Sequence, residues 1–400
     1  MLRGFVLNHI EVLKKKDTRL LVLYLCGFIL SISANVTAYI NSSFIEGFID
    51  LQYVGLFFVA SNSVALVAML YFPTIINKYG NLLTSKFVML INVIGASFLI
   101  FLNSPYWILP FFMAMWVSAN LLWINMDIFV ESFTTNKNTG RVRALFFTAM
   151  NFGWIVSPAI ASNLVIDESY YRLVYLASAV FLVVFYLIVN RYKKILSRDD
   201  IVYKKLKIVD TVKDFWKDKN LRGIYVSSFF LSLFFGLIVV YMPIYLHDFI
   251  GFNWSTIGII FSVMLLPFVL VEIPAGYVAD KYIGEVELLN TGFAILIISL
   301  LLIFFVSTPN AIIWAAILFL SRIGAALIEA MRESHFFKVV DVEHVSHINF
   351  LRTSYPLGFI TASAAGVLIL SFYPLEYVFL FLAIFLLFSF YFVNRIKDSK

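Results

Sequence analysis

The segment E-I-P-A-G-Y-V-A-D-K-Y-I-G (Glu272–Gly284) joins one apolar run, ending near Ala279, to another that begins near Val286. Its core is Gly276-x-x-x-Asp280-Lys281-x-x-Gly284. A small residue such as Gly276 lets two helices approach closely. Asp280 and Lys281 set opposite charges at a membrane surface, and Gly284 permits a tight turn. The segment reads as a short hinge between two membrane spans that must pack, release and repack.

The rest of the chain extends that reading. It is 62% hydrophobic and 14% charged, whereas a soluble domain is about half apolar and a quarter charged. This composition identifies an integral membrane protein. The many Phe and Tyr residues suit lipid-facing and interfacial surface. One cysteine, Cys26, lies in the first apolar run; it excludes internal disulfides and cysteine-based metal clusters, and reads as a packing residue. No G-x-x-x-x-G-K-[ST] loop occurs. His344 and His347 are spaced i, i+3 but lie in a loop without further ligands. Neither an enzyme nor a cofactor is expected.

Apolar runs of roughly 20 residues, the length that crosses ~30 Å of hydrocarbon, fall near 20–41, 52–76, 85–103, 107–131, 143–166, 171–192, 222–246, 254–279, 286–306, 311–334, 346–370 and 374–394. With twelve spans both termini share one side. The segments on that side carry all but two of the 30 Lys and Arg residues, the exceptions being Arg172 and Arg322. The excess of positive charge places both termini in the cytoplasm and makes a nucleic-acid partner unnecessary. Residues 1–19 are basic and mildly amphipathic, fitting a segment on the membrane surface. The basic stretch 191–222 divides six spans from six; its Ile201, Leu206, Val209, Val212 and Trp216 predict a surface-lying helix. The domains follow as 20–192 and 222–394, two six-helix bundles joined by a cytoplasmic loop over 193–221, with a short tail over 395–400.

The halves repeat weakly. Asn77-Lys78-Tyr79-Gly80 falls where the second half has D-K-Y-I-G. Asp127-x-x-x-Glu131-Ser132 in span four matches Glu329-x-x-x-Glu333-Ser334 in span ten, and Gly153-x-x-x-Ser157 in span five matches Gly358-x-x-x-Ala362 in span eleven. A duplicated six-helix unit accounts for all three.

Twelve spans, a cytoplasmic amino terminus and a basic central loop resemble the major facilitator superfamily of secondary transporters over the whole chain. The segment Gly276–Gly284 is similar to that family's loop G-x-x-x-D-[RK]-x-G-[RK], with one extra residue before the last Gly. The family's stronger copy usually lies between spans two and three; here that copy, Pro73–Asn81, lacks the first Gly and the Asp. Leu318-x-x-x-Arg322-x-Gly324 resembles a buried-arginine motif usually found in span four, where this chain has Asn120. Gly153-x-x-x-Ser157-Pro158-x-x-Ala161-Ser162 resembles G-x-x-x-G-P-x-x-G-G of the antiporters, with small residues in place of three glycines. The resemblance implies an all-α membrane fold of two pseudo-symmetric six-helix bundles. It also implies a central site lined by spans one, four, seven and ten, and alternating access. It places Asn35 in the cavity, with Tyr241 and Tyr245 as span-seven candidates, and makes Gly276, Asp280, Lys281 and Gly284 part of a cytoplasmic gate.

An ionisable group in hydrocarbon costs several kcal/mol and faces a partner or a wet cavity. Arg322 lies about 11 residues into span ten, near mid-bilayer. It either binds an anionic group or tunes a carboxylate, or else is a fixed structural pair. Glu329, about 10.5 Å further along the same face, and its counterpart Asp127 are candidates for proton transfer or substrate binding, or members of a salt-bridge network. Glu131 and Glu333, nearer the water, fit a gate network with Arg141, Arg143, Arg332 and Arg352. Glu272 is a further protonation candidate, beside Pro274, which would kink its helix. Asn120 is two turns from Asp127 on one face.

The expected function is proton-coupled movement of a small solute across the plasma membrane by a monomer. The antiporter-like motif and an aromatic, sparsely polar interior lean to export of a small amphiphilic compound. Uptake of a sugar or other nutrient is the alternative, and a non-transporting receptor or assembly protein is a third. A polar cavity lining would favour uptake, and a wide Phe/Tyr/Trp lining export.

Overall fold

The computed structural model describes residues 18–132, 139–165, 170–196, 208–339 and 345–397. The amino-terminal segment to residue 17, most of the central loop before residue 208, His344 and the last three residues lie outside these. So do the side chains of Glu131, Arg141 and Asp280.

Twelve helices are long and apolar enough to span a membrane: Thr18–Glu46, Leu51–Tyr79, Asn81–Leu99, Pro105–Val130, Leu145–Leu164, Tyr171–Arg191, Lys219–Phe249, Trp254–Ile283, Glu285–Phe305, Ala311–Phe336, Phe350–Leu370 and Glu376–Val393. They are called spans one to twelve below. Each carries its backbone hydrogen bonds within itself, which hydrocarbon requires. The chain is a multi-pass membrane protein.

Within the first half span one packs on five, and span three on four and six; within the second, span seven packs on eleven, and span nine on ten and twelve. The shared pattern has a residue-level cause. A Cβ on Gly153 would lie 2.7 Å from the carbonyl oxygen of Phe28 in span one, and a Cβ on Gly358 would lie 2.8 Å from the amide nitrogen of Leu233 in span seven. The equivalent glycines thus let equivalent helices touch backbone to backbone. The two hinges correspond as well. Gly80 and Gly284 precede spans three and nine with φ of 77° and 91°, a conformation reserved for glycine.

The halves meet through spans two and eleven and through spans five and eight. These contacts sit at the end opposite the termini. A Cβ on Gly55 would lie 2.7 Å from the carbonyl oxygen of Ser363, and one on Gly258 would lie 2.9 Å from that of Pro158. At the termini end the described residues show no such glycine seam between the halves, and Asp127 pairs with Arg352 across them. There Gly276 corrects an expectation: a Cβ on it would meet nothing within 4 Å, so in this conformation it serves no close approach.

Spans eleven and twelve are interrupted at the single residues Thr353 and Leu387, and spans one and eight are broken more extensively. Span one stops at Val36 and resumes as Asn41–Glu46 after a turn. Span eight runs as Trp254–Met264, Pro267–Leu270, Glu272–Val278 and a wider π-turn Ala279–Ile283. Pro267 and Pro274 lack the N–H that the ladder needs; Leu266 instead donates to the Val263 carbonyl, 3.2 Å away.

A helix Ile208–Lys217 is present; Ile201, Leu206 and the side chain of Val209 from the predicted stripe lie outside the described residues, and the helix docks on protein through Phe215. Phe215 is buried against Phe350 (4.8 Å between centroids) and Tyr225 (5.8 Å), whereas Trp216 is half exposed.

Candidate functional site

Between the halves lies a cavity of about 340 Å³, lined from spans one, four, seven and ten and from their neighbours. Its lining mixes apolar, aromatic and polar residues; the rings include Trp116, Trp123 and Trp154 from the first half and Phe235, Phe268 and Phe359 from the second. Trp116 is held by its Nε1–H, which donates to Asn62 Oδ1 at 3.2 Å.

Arg322 reaches this cavity from span ten although it is only 1% exposed. Its guanidinium lies 5.2 Å from the ring centroid of Phe234 and 5.5 Å from that of Phe235. Among the described residues its Nε and Nη1 have no hydrogen-bond partner. Its polar neighbour is Tyr39, carried by the turn that interrupts span one and packed 4.6 Å from Phe261 of span eight. A broken helix is a natural place for a polar side chain to face a site at mid-membrane.

Asn35 lies one helical turn before Tyr39 and also lines the cavity. Its Nδ2 donates to the Ser31 carbonyl at 2.9 Å, and the Nδ2 of Asn120 likewise donates to Trp116 at 2.9 Å. Each amide thus commits one N–H along its own helix, leaving a second N–H and the carboxamide oxygen for a partner in the cavity that it lines.

The carboxylates fall into two groups. Glu329 and Glu333 share Arg332, at 3.5 Å and 3.6 Å. Glu272, from span eight, is near enough for the charges of Glu329, Glu333 and Arg332 to act on it, but it stands outside the cavity wall. Asp127 stands apart from them: its Oδ2 accepts from Arg352 Nη2 at 2.9 Å, joining span four to span eleven across the halves. Arg143 lies near the start of the helix Thr139–Leu164, away from the cavity lining. Lys281 donates to the Tyr277 hydroxyl at 2.9 Å and sits over the rings of Tyr277 and Tyr282.

Tyr241 and Tyr245 do not line the cavity, contrary to the sequence reading. Tyr241 is fully buried against Gly55 and Gly366, and Tyr245 packs on Trp314 and Phe379. Span seven contributes Leu231, Ser232, Phe235 and Val239 instead. Sequence reasoning also missed Tyr39, whose only signal was its i+4 spacing from Asn35. A further buried group went unread. Glu285, at the start of span nine, bonds Lys338 and Ser334 and lies 3.8 Å from His335. It ties span nine to span ten outside the cavity.

The family model described as Major Facilitator Superfamily matches residues 23–332 and, in a second match, 224–400. No curated protein sequence matches the chain. Among solved structures, the nucleoside transporter NupG aligns with a TM-score of 0.74 at 15% identity, covering 95% of this chain and 99% of that one. A bacterial homolog of the human lysosomal transporter Spinster, inward-facing and unoccupied, aligns with a TM-score of 0.70 at 12% identity, covering 95% and 97%. At such identities these likenesses speak to the fold alone. With the family match spanning most of its length, the chain belongs to the Major Facilitator Superfamily and is a secondary transporter of a small solute, not an enzyme.

Proposed function

We propose that this transporter moves a small amphiphilic compound out of the cell in exchange for protons, as a monomer in the plasma membrane with both termini in the cytoplasm. The observation that carries the reading is the cavity itself, whose lining is mostly apolar with Trp, Phe and Tyr rings prominent, set beside polar and charged groups such as Asn35, Asn120, Arg322 and Glu329. Close glycine seams seal it at the end opposite the termini, whereas at the basic end the described contact between the halves is the ion pair Asp127–Arg352. The bundles 20–192 and 222–394 are the two moving bodies. In this orientation the conformation is inward-open, with the seam at Gly55 and Gly258 as the closed outer gate. Glu329 is the first candidate for the coupling proton, with Glu333 beside it and Glu272 behind. Three carboxylates around one Arg332 leave room for a proton without loss of charge balance. Asp127 serves with Arg352 at the inner gate, next to the hinge that holds Asp280 and Lys281.

The carboxamide acceptors of Asn35 and Asn120 favour a second reading, proton-coupled uptake of a hydroxylated nutrient. Neutralising Glu329, Glu272 and Asp127 in turn, and following proton-driven flux and counterflow in vesicles, separates the roles. Glu329→Gln is expected to abolish proton-driven flux while leaving counterflow, which needs no net proton transfer. Full proton-driven transport in all three variants would sink the assignment.

A further inference from the structure

We infer that the solute is an organic anion whose oxyanion head, a carboxylate, sulfonate or phosphate ester, docks on Arg322 while a flat apolar body lies between the aromatic walls; this deepens the transport reading above and rests on it. Arg322 is 1% exposed and its Nε and Nη1 have no hydrogen-bond partner among the described residues. A guanidinium cannot shed its charge by losing a proton in a protein, and a buried charge is tolerated only with compensation. The compensation present is partial: two phenylalanine faces, 5.2 Å and 5.5 Å away, and the hydroxyl of Tyr39. The cavity's acids are engaged elsewhere. Asp127 pairs with Arg352, and Glu329 and Glu333 with Arg332. Arg322 is thus a buried cation aimed into a cavity with donors to spare, and an oxyanion is the group that matches a guanidinium fork.

The surroundings define the rest of the ligand. Phe235, Phe268 and Phe359 line the cavity with Trp116 and Trp154, Trp116 packing against Phe359 with 6.2 Å between ring centroids, and these rings offer apolar faces to a flat ring or short apolar body. Asn35 sits one turn from Tyr39 and offers an acceptor, so a hydroxyl or N–H near the head gains a partner. A cationic solute is disfavoured at the deep end by Arg322 itself.

A matched series on one body tests this: 2-naphthoate, 2-naphthamide and 2-naphthylmethylamine, added to the purified full-length protein, with thermal shift and tryptophan quenching as readouts. Naphthoate is expected to stabilise the protein and to bind at least about tenfold more tightly than the amide, with no response to the amine. Arg322→Met should lose the naphthoate response while keeping a ligand-free Tm at or above that of the parent, since it removes an uncompensated charge. If Arg322→Met does not fold, Arg322→Lys decides the matter, with naphthoate weakened but still preferred over the amide. The proposal is overturned if the amide matches naphthoate, if naphthoate fails to bind, or if its response survives in Arg322→Met. Counterflow of the same probes in vesicles separates the two readings. Arg322-dependent binding without counterflow sinks transport of such anions and leaves the anion site standing. Equal counterflow of amide and naphthoate sinks the anion site and leaves transport standing.

Discussion

Asp127 and Glu329 show how far one residue's sequence position determines its role. They occupy equivalent places in the repeated halves, yet Asp127 reaches across to Arg352 whereas Glu329 stays on its own helix with Arg332. The difference comes from span eleven, which brings Arg352 to the mouth of the cavity. No first-half arginine is seen doing the same for Glu329 among the described residues. Both members of the Asp127–Arg352 pair are partly exposed, so the pair contributes about 0.5–1 kcal/mol. Each single reversal, Asp127→Arg or Arg352→Asp, should therefore slow counterflow, and the double reversal should recover most of the loss. A double variant no better than the worse single one would return Asp127 to the substrate-binding candidates. Arg322 was legible in the sequence because a charge amid twenty apolar residues declares itself. Tyr39 was not, because a tyrosine in a membrane span has many innocent explanations, and only the turn after Val36 aims it at the arginine.

At the scale of elements, the spans follow from length and hydropathy, and the sequence placed all twelve within a few residues. The breaks in spans one and eight were harder to read. Pro274 pointed to a kink, but the turn at Thr37–Ile40 contains neither proline nor glycine and depends on what packs around it. The helix Ile208–Lys217 illustrates a related limit. Its amphipathic pattern was plain, but an apolar stripe does not say whether lipid or protein will cover it. Here protein covers it, through Phe215 against Tyr225, Phe336 and Phe350. Phe215→Ala should cost about 3–5 kcal/mol of docking energy and expose the helix to limited proteolysis from the loop side. Trp216→Ala should leave the cleavage rate near that of the parent. Equal cleavage of the two variants would mean that the helix is held by something other than its Phe215 face.

For the whole molecule, the glycines at the two ends report on one equilibrium with opposite signs. In the present conformation Gly258 sits against Pro158 and Ser162, whereas Gly276 at the other end has open space around it. A side chain on Gly258 must push spans five and eight apart, an overpacking cost of about 1–3 kcal/mol. That cost falls only on the state in which this seam is closed, so Gly258→Val should shift the ratio of states by about five- to hundredfold toward the arrangement open at that end. Valine at Gly276 costs nothing here. It penalises the state in which the termini ends close, so it should shift the ratio the other way. The test is within reach because the only native cysteine, Cys26, is 1% exposed and would not compete for labels. Spin labels at Tyr106→Cys and Phe372→Cys, both well exposed and on opposite halves, report the distance across the sealed end. Gly258→Val should lengthen that distance and Gly276→Val should narrow its distribution around the short value. Identical distributions in both variants would mean that these seams are not the surfaces on which the halves rock.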